Sequence, residues 1–152
     1  MAWMVVRVRG SIHVNREIVE TLRYLHLTRP NHATVVPESA QYRGMLHRVQ
    51  GYITWGEADP ETVGLLLRER GVTTDGARIS DAAFGAAIPA KDLGALTTDV
   101  LQHGLPPVRG VRPLFRLRAP KGGWRSTKRP YGLGGALGYR GKAVNDLVRR
   151  MV

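Results

Sequence analysis

The first 56 residues alternate between short β-branched runs and amphipathic segments, and this order limits the possible folds more than any other feature of the sequence. Trp3–Arg9 alternates valine with arginine and is predicted to form a strand with one basic face. Ala33–Val36 is a β-branched run followed by proline, and Gly51–Thr54 has the composition of a third strand. Helical segments separate these strands. The sequence therefore predicts a β-α-β-α-β unit with its helices on one face of a small sheet.

Each predicted helix has a capping residue and an apolar stripe. Asn15 can cap the first helix and Ser39 the second, because their side chains accept hydrogen bonds from free backbone N–H groups. The stripes are Ile18, Leu22 and Leu25 in the first helix, and Tyr42, Met45 or Leu46, and Val49 in the second. Gly44 lies inside the second helix, where it costs about 1 kcal/mol relative to alanine. We expect another backbone, of protein or RNA, to approach closely there.

Residues 57–108 are predicted to be helical and acidic. Asp59 and Gly71 mark the ends of one helix, with proline at its first helical position. Ser80 is predicted to cap a short helix over Asp81–Phe84, and another helix is predicted over Lys91–His103. Eight acidic and four basic residues give this segment a net charge of −4. We therefore divide the chain into a core (residues 1–56 plus 109–152) and an acidic helical subdomain (residues 57–108) that faces protein or solvent.

The last 44 residues hold the formal charge of the whole protein, +11. Nine arginines, three lysines and one aspartate lie there, among eight glycines and four aromatic residues. Cations interleaved with rings are typical of surfaces that bind phosphates and stack on bases. Leu114–Arg118 is predicted to be a strand that places Arg116 and Arg118 on one face, and the final ten residues form an amphipathic helix. Ala119–Gly141 is predicted to be a basic loop held between these two elements.

Other functions find less support. Arginine outnumbers lysine 19 to 4, which favours nucleic acid over a membrane surface as partner. The chain has no cysteine, and its five histidines lack metal-ligand spacing. The glycines of residues 132–138 match neither the dinucleotide-binding nor the P-loop pattern. Two alternatives stay open: a free-standing nucleic-acid chaperone or DNA-coating protein, and an enzyme that holds a nucleotide with its glycine-rich loop.

Several ordered motifs resemble the L-thirty family of large-subunit ribosomal proteins (universal name uL-thirty). They begin with the run from Thr21 to His32 and the sequence Tyr42-Arg43-Gly44-Met45-Leu46. The later motifs are similar to those of the longer archaeal form, which is the counterpart of the eukaryotic protein called L-seven. These are residues 52–57 (YITWGE), 115–117 (FRL), 120–123 (PKGG) and 134–141 (GGALGYRG). The resemblance covers nearly the whole chain.

The resemblance implies an α+β protein with a ferredoxin-like β-α-β-α-β core, in which a small helical subdomain precedes a C-terminal strand, a basic loop and a helix. It implies a structural protein of the cytoplasmic ribosome that contacts large-subunit rRNA near the 5S rRNA, and neighbouring large-subunit ribosomal proteins. It carries over no catalytic residue, metal or cofactor, and we expect no small-molecule substrate and no membrane. Pro30 departs from the family pattern, which leaves the turn over Arg29–Asn31 open because proline lacks an N–H donor.

The predicted RNA-binding residues are cations, backbone-exposing glycines and aromatic rings. In the C-terminal segment they are Arg116, Arg118, Lys121, Gly122, Gly123, Trp124, Arg125, Lys128, Arg129, Tyr131, Tyr139 and Arg140. In the N-terminal unit they are Arg7, Arg9, Arg29, Asn31, Arg43, Gly44 and Arg48. The arginines and lysines are expected to neutralise phosphates, and the rings to stack or pack at the RNA surface.

Overall fold

The computed structural model describes residues 2–79 and 88–152, which form a six-stranded sheet with helices on both faces. The strands are β1 (Ala2–Arg7), β2 (His32–Pro37), β3 (Ile53–Glu57), β4 (Phe115–Arg116), β5 (Ser126–Pro130) and β6 (Gly135–Tyr139). The helices are α1 (Arg16–Tyr24), α2 (Ala40–Arg48), α3 (Pro60–Arg70), α4 (Leu93–His103) and α5 (Ala143–Met151), with a 3₁₀ turn at Tyr131–Leu133. The predicted helix over Asp81–Phe84, with its cap Ser80, lies outside the described residues.

The predicted α+β fold with a β-α-β-α-β core is confirmed. The strands lie in the order β4-β2-β1-β3-β6-β5, and β1 pairs antiparallel with both β2 and β3. Both N-caps form as expected. The Asn15 side chain accepts from the N–H of Glu17 at 3.0 Å, and Ser39 Oγ accepts from the N–H of Tyr42 at 3.2 Å.

The two faces of the sheet bury separate hydrophobic clusters. Trp3 and Val5 of β1 point to the face covered by α1 and α2. Met4 and Val6 point to the opposite face, which is covered by α3, α4 and α5. β1 is buried along its whole length, so neither face of this strand is exposed to solvent. Each fully buried leucine in these clusters contributes about 1.5–3 kcal/mol.

The described part of residues 57–108 packs on the sheet through α3 and α4. Leu66 of α3 and Leu96 of α4 belong to the same cluster as Met4 and Val6. The division of the chain into a core and an acidic subdomain stays a prediction, since this packing shows only where the block lies. Asp59 precedes α3 as expected, but its side chain makes no capping hydrogen bond. Its carboxylate instead lies 3.7 Å from the guanidinium of Arg149.

The C-terminal helix confirms its predicted role. The apolar stripe of α5 is buried against the sheet face that carries Met4 and Val6. The strand predicted over Leu114–Arg118 is shorter than expected, because only Phe115 and Arg116 pair with β2.

The prediction that Ala119–Gly141 is a loop is wrong where β5 and β6 form. β6 pairs in parallel with β3, where Thr54 lies opposite Gly138, and β5 adds in parallel to β6. Gly135 and the two residues after it are buried. Without β6, the edge of β3 would leave backbone N–H and C=O groups unpaired. Glycine is a weak strand former, so the sequence pattern did not reveal this pairing.

Candidate nucleic-acid interface

The strand register brings cations from distant parts of the chain to one end of the sheet. At this end β1 finishes at Arg7 and both β2 and β3 begin. Arg116 of β4 pairs with His32, the first residue of β2. Ser126 of β5 pairs with Gly135, the first residue of β6, which runs parallel to β3. We call this the basic end of the sheet.

Three exposed arginines lie around β4 at the basic end. Arg116 is opposite His32, and Arg29 lies in the turn that leads into β2. The pKa of the His32 imidazole is lowered by burial first and then by the charges of Arg116, Arg29 and Arg7. These cations are therefore close enough to repel a further positive charge. Arg118 follows Arg116 and is anchored by its backbone N–H, which donates to the Met151 carbonyl at 3.0 Å.

β5 presents cations at the opposite edge of the sheet. Lys128 and Arg129 are exposed on this outermost strand. The strands β4 and β5 are separated by four others, so their cations are about 24 Å apart at a strand spacing of about 4.8 Å. Between the edges, the Arg9 guanidinium lies 5.1 Å from the ring centroid of Tyr52. Predicted RNA-binding cations from several parts of the chain thus lie across the full width of the sheet.

The segment between β4 and β5 crosses the C-terminal end of α5. The N–H of Lys121 donates to the carbonyl of Arg150 at 3.0 Å. Gly122 and Gly123 have φ values of 84° and 75°, which only glycine adopts without strain. A Cβ at either position would meet no atom of the described chain within 4 Å. Both glycines therefore leave open space in which another backbone can approach.

Arg7 is buried inside the fold, so the structure gives its predicted contact with RNA no support. The residue is 2% exposed. Its guanidinium donates to the Leu27 carbonyl at 2.7 Å, the Arg9 carbonyl at 2.9 Å and the Ser11 hydroxyl at 2.6 Å. Burial lowers its pKa, and the three acceptors compensate for the lost hydration. Arg7 joins loops at the end of β1 and is unavailable to a phosphate.

The turn at Pro30 places Asn31 in the left-handed region, with φ of 68°. The N–H of Asn31 donates to the Arg7 carbonyl at 2.9 Å. Its Oδ1 is buried and lacks a hydrogen-bond partner among the described residues. Asparagine tolerates this backbone conformation better than most residues. Asn31 is therefore a turn residue, two positions after the exposed Arg29.

Aromatic residues and arginines form a second cluster along β6. Trp124 is only partly exposed, because its ring packs against both the α5 side of the core and a small cluster around Leu137. Arg140 donates to Thr54 Oγ1 at 2.7 Å and to the Ala136 carbonyl at 2.8 Å. Its guanidinium also lies 4.8 Å from the ring centroid of Tyr131. These internal contacts hold Arg140 in one orientation.

The α2 side carries the remaining predicted residues. Arg43, Gly44 and Arg48 are exposed on α2, and the Arg43 guanidinium lies 5.7 Å from the Trp3 ring centroid. A Cβ at Gly44 would touch nothing within 4 Å, so no described backbone of this chain explains the glycine. Close approach by RNA or by another protein remains a prediction.

Tyr139 lies beside this α2 surface and is half exposed. Its ring is 6.0 Å from that of Trp55, and its hydroxyl donates to the Glu57 carboxylate. This hydrogen bond raises the pKa of the Tyr139 phenol, with smaller effects from burial and from the Glu57 charge. The hydroxyl is thus engaged within the chain, while the exposed part of the ring is free to stack.

Sequence reasoning missed two arginines of the acidic block. Arg70 and Arg78 share an open groove of about 520 Å³ with Arg116 and Arg118. Glu69 is the one acidic side chain among the residues lining this groove. The net charge of −4 over residues 57–108 concealed these cations, since averaging over a segment removes local clusters. The sequence feature that could have drawn attention to Arg70 is its position in the last turn of α3.

The described residues offer chemistry suited to binding. In residues 2–79 and 88–152 no three histidine, cysteine or acidic side chains meet in a group able to hold a metal ion. No helix within the same ranges is long and apolar enough to cross a membrane. Guanidinium groups, ammonium groups and exposed rings at one end of a sheet are suited to a phosphate backbone and to stacked bases.

Comparisons with known proteins agree with this chemistry. The sequence model of the family described as Ribosomal protein L30p/L7e matches residues 3–53. The chain is 44% identical over 151 residues to the large ribosomal subunit protein uL30 of Korarchaeum cryptofilum, covering 97% of this chain and 93% of that protein. It is 38% identical to the uL30 of Methanopyrus kandleri (95% and 99% covered) and 36% identical to that of Methanosphaera stadtmanae (99% and 99%).

Proposed function

This chain belongs to the uL30 family of large-ribosomal-subunit proteins, and we propose that it binds rRNA through the basic end of its sheet. As a member of that family it is a structural constituent of the large subunit in the cytoplasmic ribosome, not an enzyme. Its partners are rRNA and other ribosomal proteins. On the family resemblance alone, we also propose that its rRNA contacts lie near the 5S rRNA.

One observation carries the proposed binding mode: cations far apart in sequence share one end of the sheet. The exposed or partly exposed cations there are Arg9, Arg29, Arg116, Arg118, Lys121, Arg125, Lys128 and Arg129. A row of this width suits the phosphates on either side of an RNA groove. A-form RNA is recognised mainly by shape and backbone, so the contacts require little base-specific readout.

The opposite end of the sheet supports the same orientation. Glu57 ends β3, and Glu38 follows β2. Asp59 and Glu61 lie at the start of α3. Phosphates are repelled by these carboxylates and attracted to the arginines at the other end. We propose that this opposite end of the sheet, which carries the carboxylates, faces solvent or protein. Within the acidic residues 57–108, Arg70 and Arg78 are exceptions because they extend the basic end.

Filter binding to large-subunit rRNA across a salt series tests this proposal. Neutralising about six phosphates predicts a slope of log K against log salt of about −4 to −5. Arg116→Gln with Arg118→Gln should make this slope shallower by about 1–2. The matched control is Arg16→Gln with Arg23→Gln, which removes the same charge at two exposed positions of α1 outside the predicted RNA-binding set.

The proposal is contradicted if the two double variants change the salt slope equally, or if binding shows no salt dependence.

Sedimentation separates the ribosomal role from that of a free-standing nucleic-acid protein. A ribosomal protein migrates with the large subunit through moderate salt. Recovery only in the soluble or nucleoid fraction would favour the DNA-coating alternative.

A further inference from the structure

A small polar cavity lies between β6, α5 and the segment that leads into β5. Its volume is about 210 Å³, which is below the range of about 300–1,000 Å³ for pockets that hold drug-sized ligands. Three arginines line it: Arg125, Arg140 and Arg150. The indole of Trp124 and the ring of Tyr131 form part of the wall.

Arg140 is held rigidly in this cavity. Its Nε donates to Thr54 Oγ1 and its Nη2 donates to the Ala136 carbonyl, while Tyr131 lies against the guanidinium. A guanidinium has five N–H donors, and these two hydrogen bonds use two of them. The remaining donors are therefore fixed in direction and available to a ligand.

Arg125 and Arg150 repel the charge of Arg140. The pKa of Arg140 is lowered by burial first, and the charges of Arg150 and Arg125 lower it further against an opposing effect of Tyr131. Asp146 is the one carboxylate in the lining. It lies 3.8 Å from Nη1 of Arg149, so its charge is shared with a cation outside the cavity. The cavity keeps an excess of positive charge that an anion would neutralise.

We propose that this cavity is a seat for a single phosphate group. A phosphate presents oxygens in several directions, and convergent guanidinium groups bind such groups through charge-assisted hydrogen bonds. The cavity volume suits one phosphate with its waters better than a whole nucleotide. Tyr131 and Trp124 would flank the group. Arg150, on the helix assigned by sequence to the core, thereby gains a binding role.

The identification of this phosphate as part of the rRNA backbone rests on the proposed function. Free inorganic phosphate has the same chemistry, so the experiment must separate the two sources. The three tryptophans provide a direct reporter: Trp124 lines the cavity, whereas Trp3 and Trp55 belong to the cluster on the other face of the sheet.

The first measurement titrates the full chain with inorganic phosphate while chloride keeps the ionic strength constant. The indole N–H resonances are followed by NMR and assigned with Trp124→Phe. We expect a saturable shift of the Trp124 signal with the Trp3 and Trp55 signals unmoved. Arg125→Gln with Arg150→Gln should weaken this binding at least about tenfold, because two of three charged partners are lost.

The matched control is Arg23→Gln with Arg68→Gln, which removes the same charge at exposed helix positions away from the cavity. It should leave the phosphate titration unchanged. An unmoved Trp124 signal in the wild-type protein overturns the proposal. So does phosphate binding that survives in the Arg125→Gln, Arg150→Gln variant.

The second measurement compares the rRNA affinity of the two double variants at one salt concentration. The cavity variant should lose at least about tenfold more affinity than its control. Equal losses would overturn the assignment of the cavity to rRNA and remove Arg125 from the interface, while leaving the proposed binding by the other cations of the basic end intact. A wild-type protein that binds phosphate at Trp124 but shows no salt-dependent rRNA binding would instead refute the proposed function and identify free phosphate as the ligand.

Discussion

Replacing Arg7 with methionine should destabilise the fold without weakening the affinity of the folded protein for RNA. Methionine keeps most of the aliphatic length of arginine but removes all its N–H donors. The three acceptors of the Arg7 guanidinium then lose their partner. Ser11 is exposed and Arg9 is partly exposed, so water can replace the donor at both. Leu27 is fully buried, and its carbonyl is left unpaired.

The expected loss follows from these environments. A buried acceptor without a partner costs about 1–3 kcal/mol, and losing charged hydrogen bonds adds to this cost. Removing the desolvated guanidinium offsets part of the loss. We expect a net destabilisation of about 2–3 kcal/mol. For a chain of this size, that corresponds to a fall in Tm of about 4–12 °C.

Thermal and denaturant unfolding measure the stability, and filter binding below the unfolding temperature measures the affinity. Arg116→Met is the matched control, because this exposed arginine lies at the basic end and should change stability by less than about 0.5 kcal/mol. Its RNA affinity should fall. Unchanged stability of Arg7→Met together with reduced RNA affinity would refute the structural role and restore the contact expected from sequence.

Three further outcomes are expected. Gly44→Ala should stabilise the free protein by about 0.5–1 kcal/mol in denaturant unfolding, because a methyl there meets open space. If RNA lies against α2, the same change should weaken association with the large subunit. Glu57→Gln should lower the pKa of Tyr139 towards that of an ordinary tyrosine, seen as more phenolate absorbance near pH 10, because the carboxylate raises it. RNA binding should raise the pKa of His32 in an NMR titration, because phosphates neutralise the arginines that lower it.

The directions of the His32 and Tyr139 pKa shifts also determine how the stability of the fold depends on pH. The pKa of His32 is lowered in the folded state, so its contribution to stability is present above about pH 6.5 and declines as the pH falls below that value. The pKa of Tyr139 is raised, so its contribution is present below about pH 10 and declines above it. Stability that changed in the opposite direction in either range would contradict these assignments.

Gly94→Ala is the control for Gly44→Ala. Gly94 lies in α4, where an added Cβ would make an ordinary contact of 3.5 Å with Asp92. It should stabilise the helix in the same way without affecting association with the large subunit. If both glycine variants associate normally, neither RNA nor protein approaches α2 closely at Gly44.

The N-terminal unit was predictable because its information is local. Capping by Asn15 and Ser39 and the β-branched runs each act over a few residues, and all were confirmed. The apolar stripe of α5 was predictable for the same reason, since four buried residues recur at helical spacing. The strands β5 and β6 were not predictable in this way. Their glycines and cations have low strand propensity, and their pairing depends on the open edge of β3.

The RNA-binding residues show the same distinction. Charge and ring composition indicated the partner, but they gave Arg7 and Arg116 the same role. Only the packing distinguishes them, since one guanidinium is enclosed by three acceptors and the other is exposed. Arg70 and Arg78 were missed because segment charge carries no information about which side chains become neighbours.

By itself, then, the sequence determined the helices, the central strands, the class of partner and the segment richest in cations, because propensity, capping and charge are properties of short stretches. The tertiary structure decided that β6 completes the sheet, that Arg7 is internal, and that cations from both ends of the chain share one end of the sheet. Those features depend on strand register and burial, which are set by contacts between residues far apart in the chain.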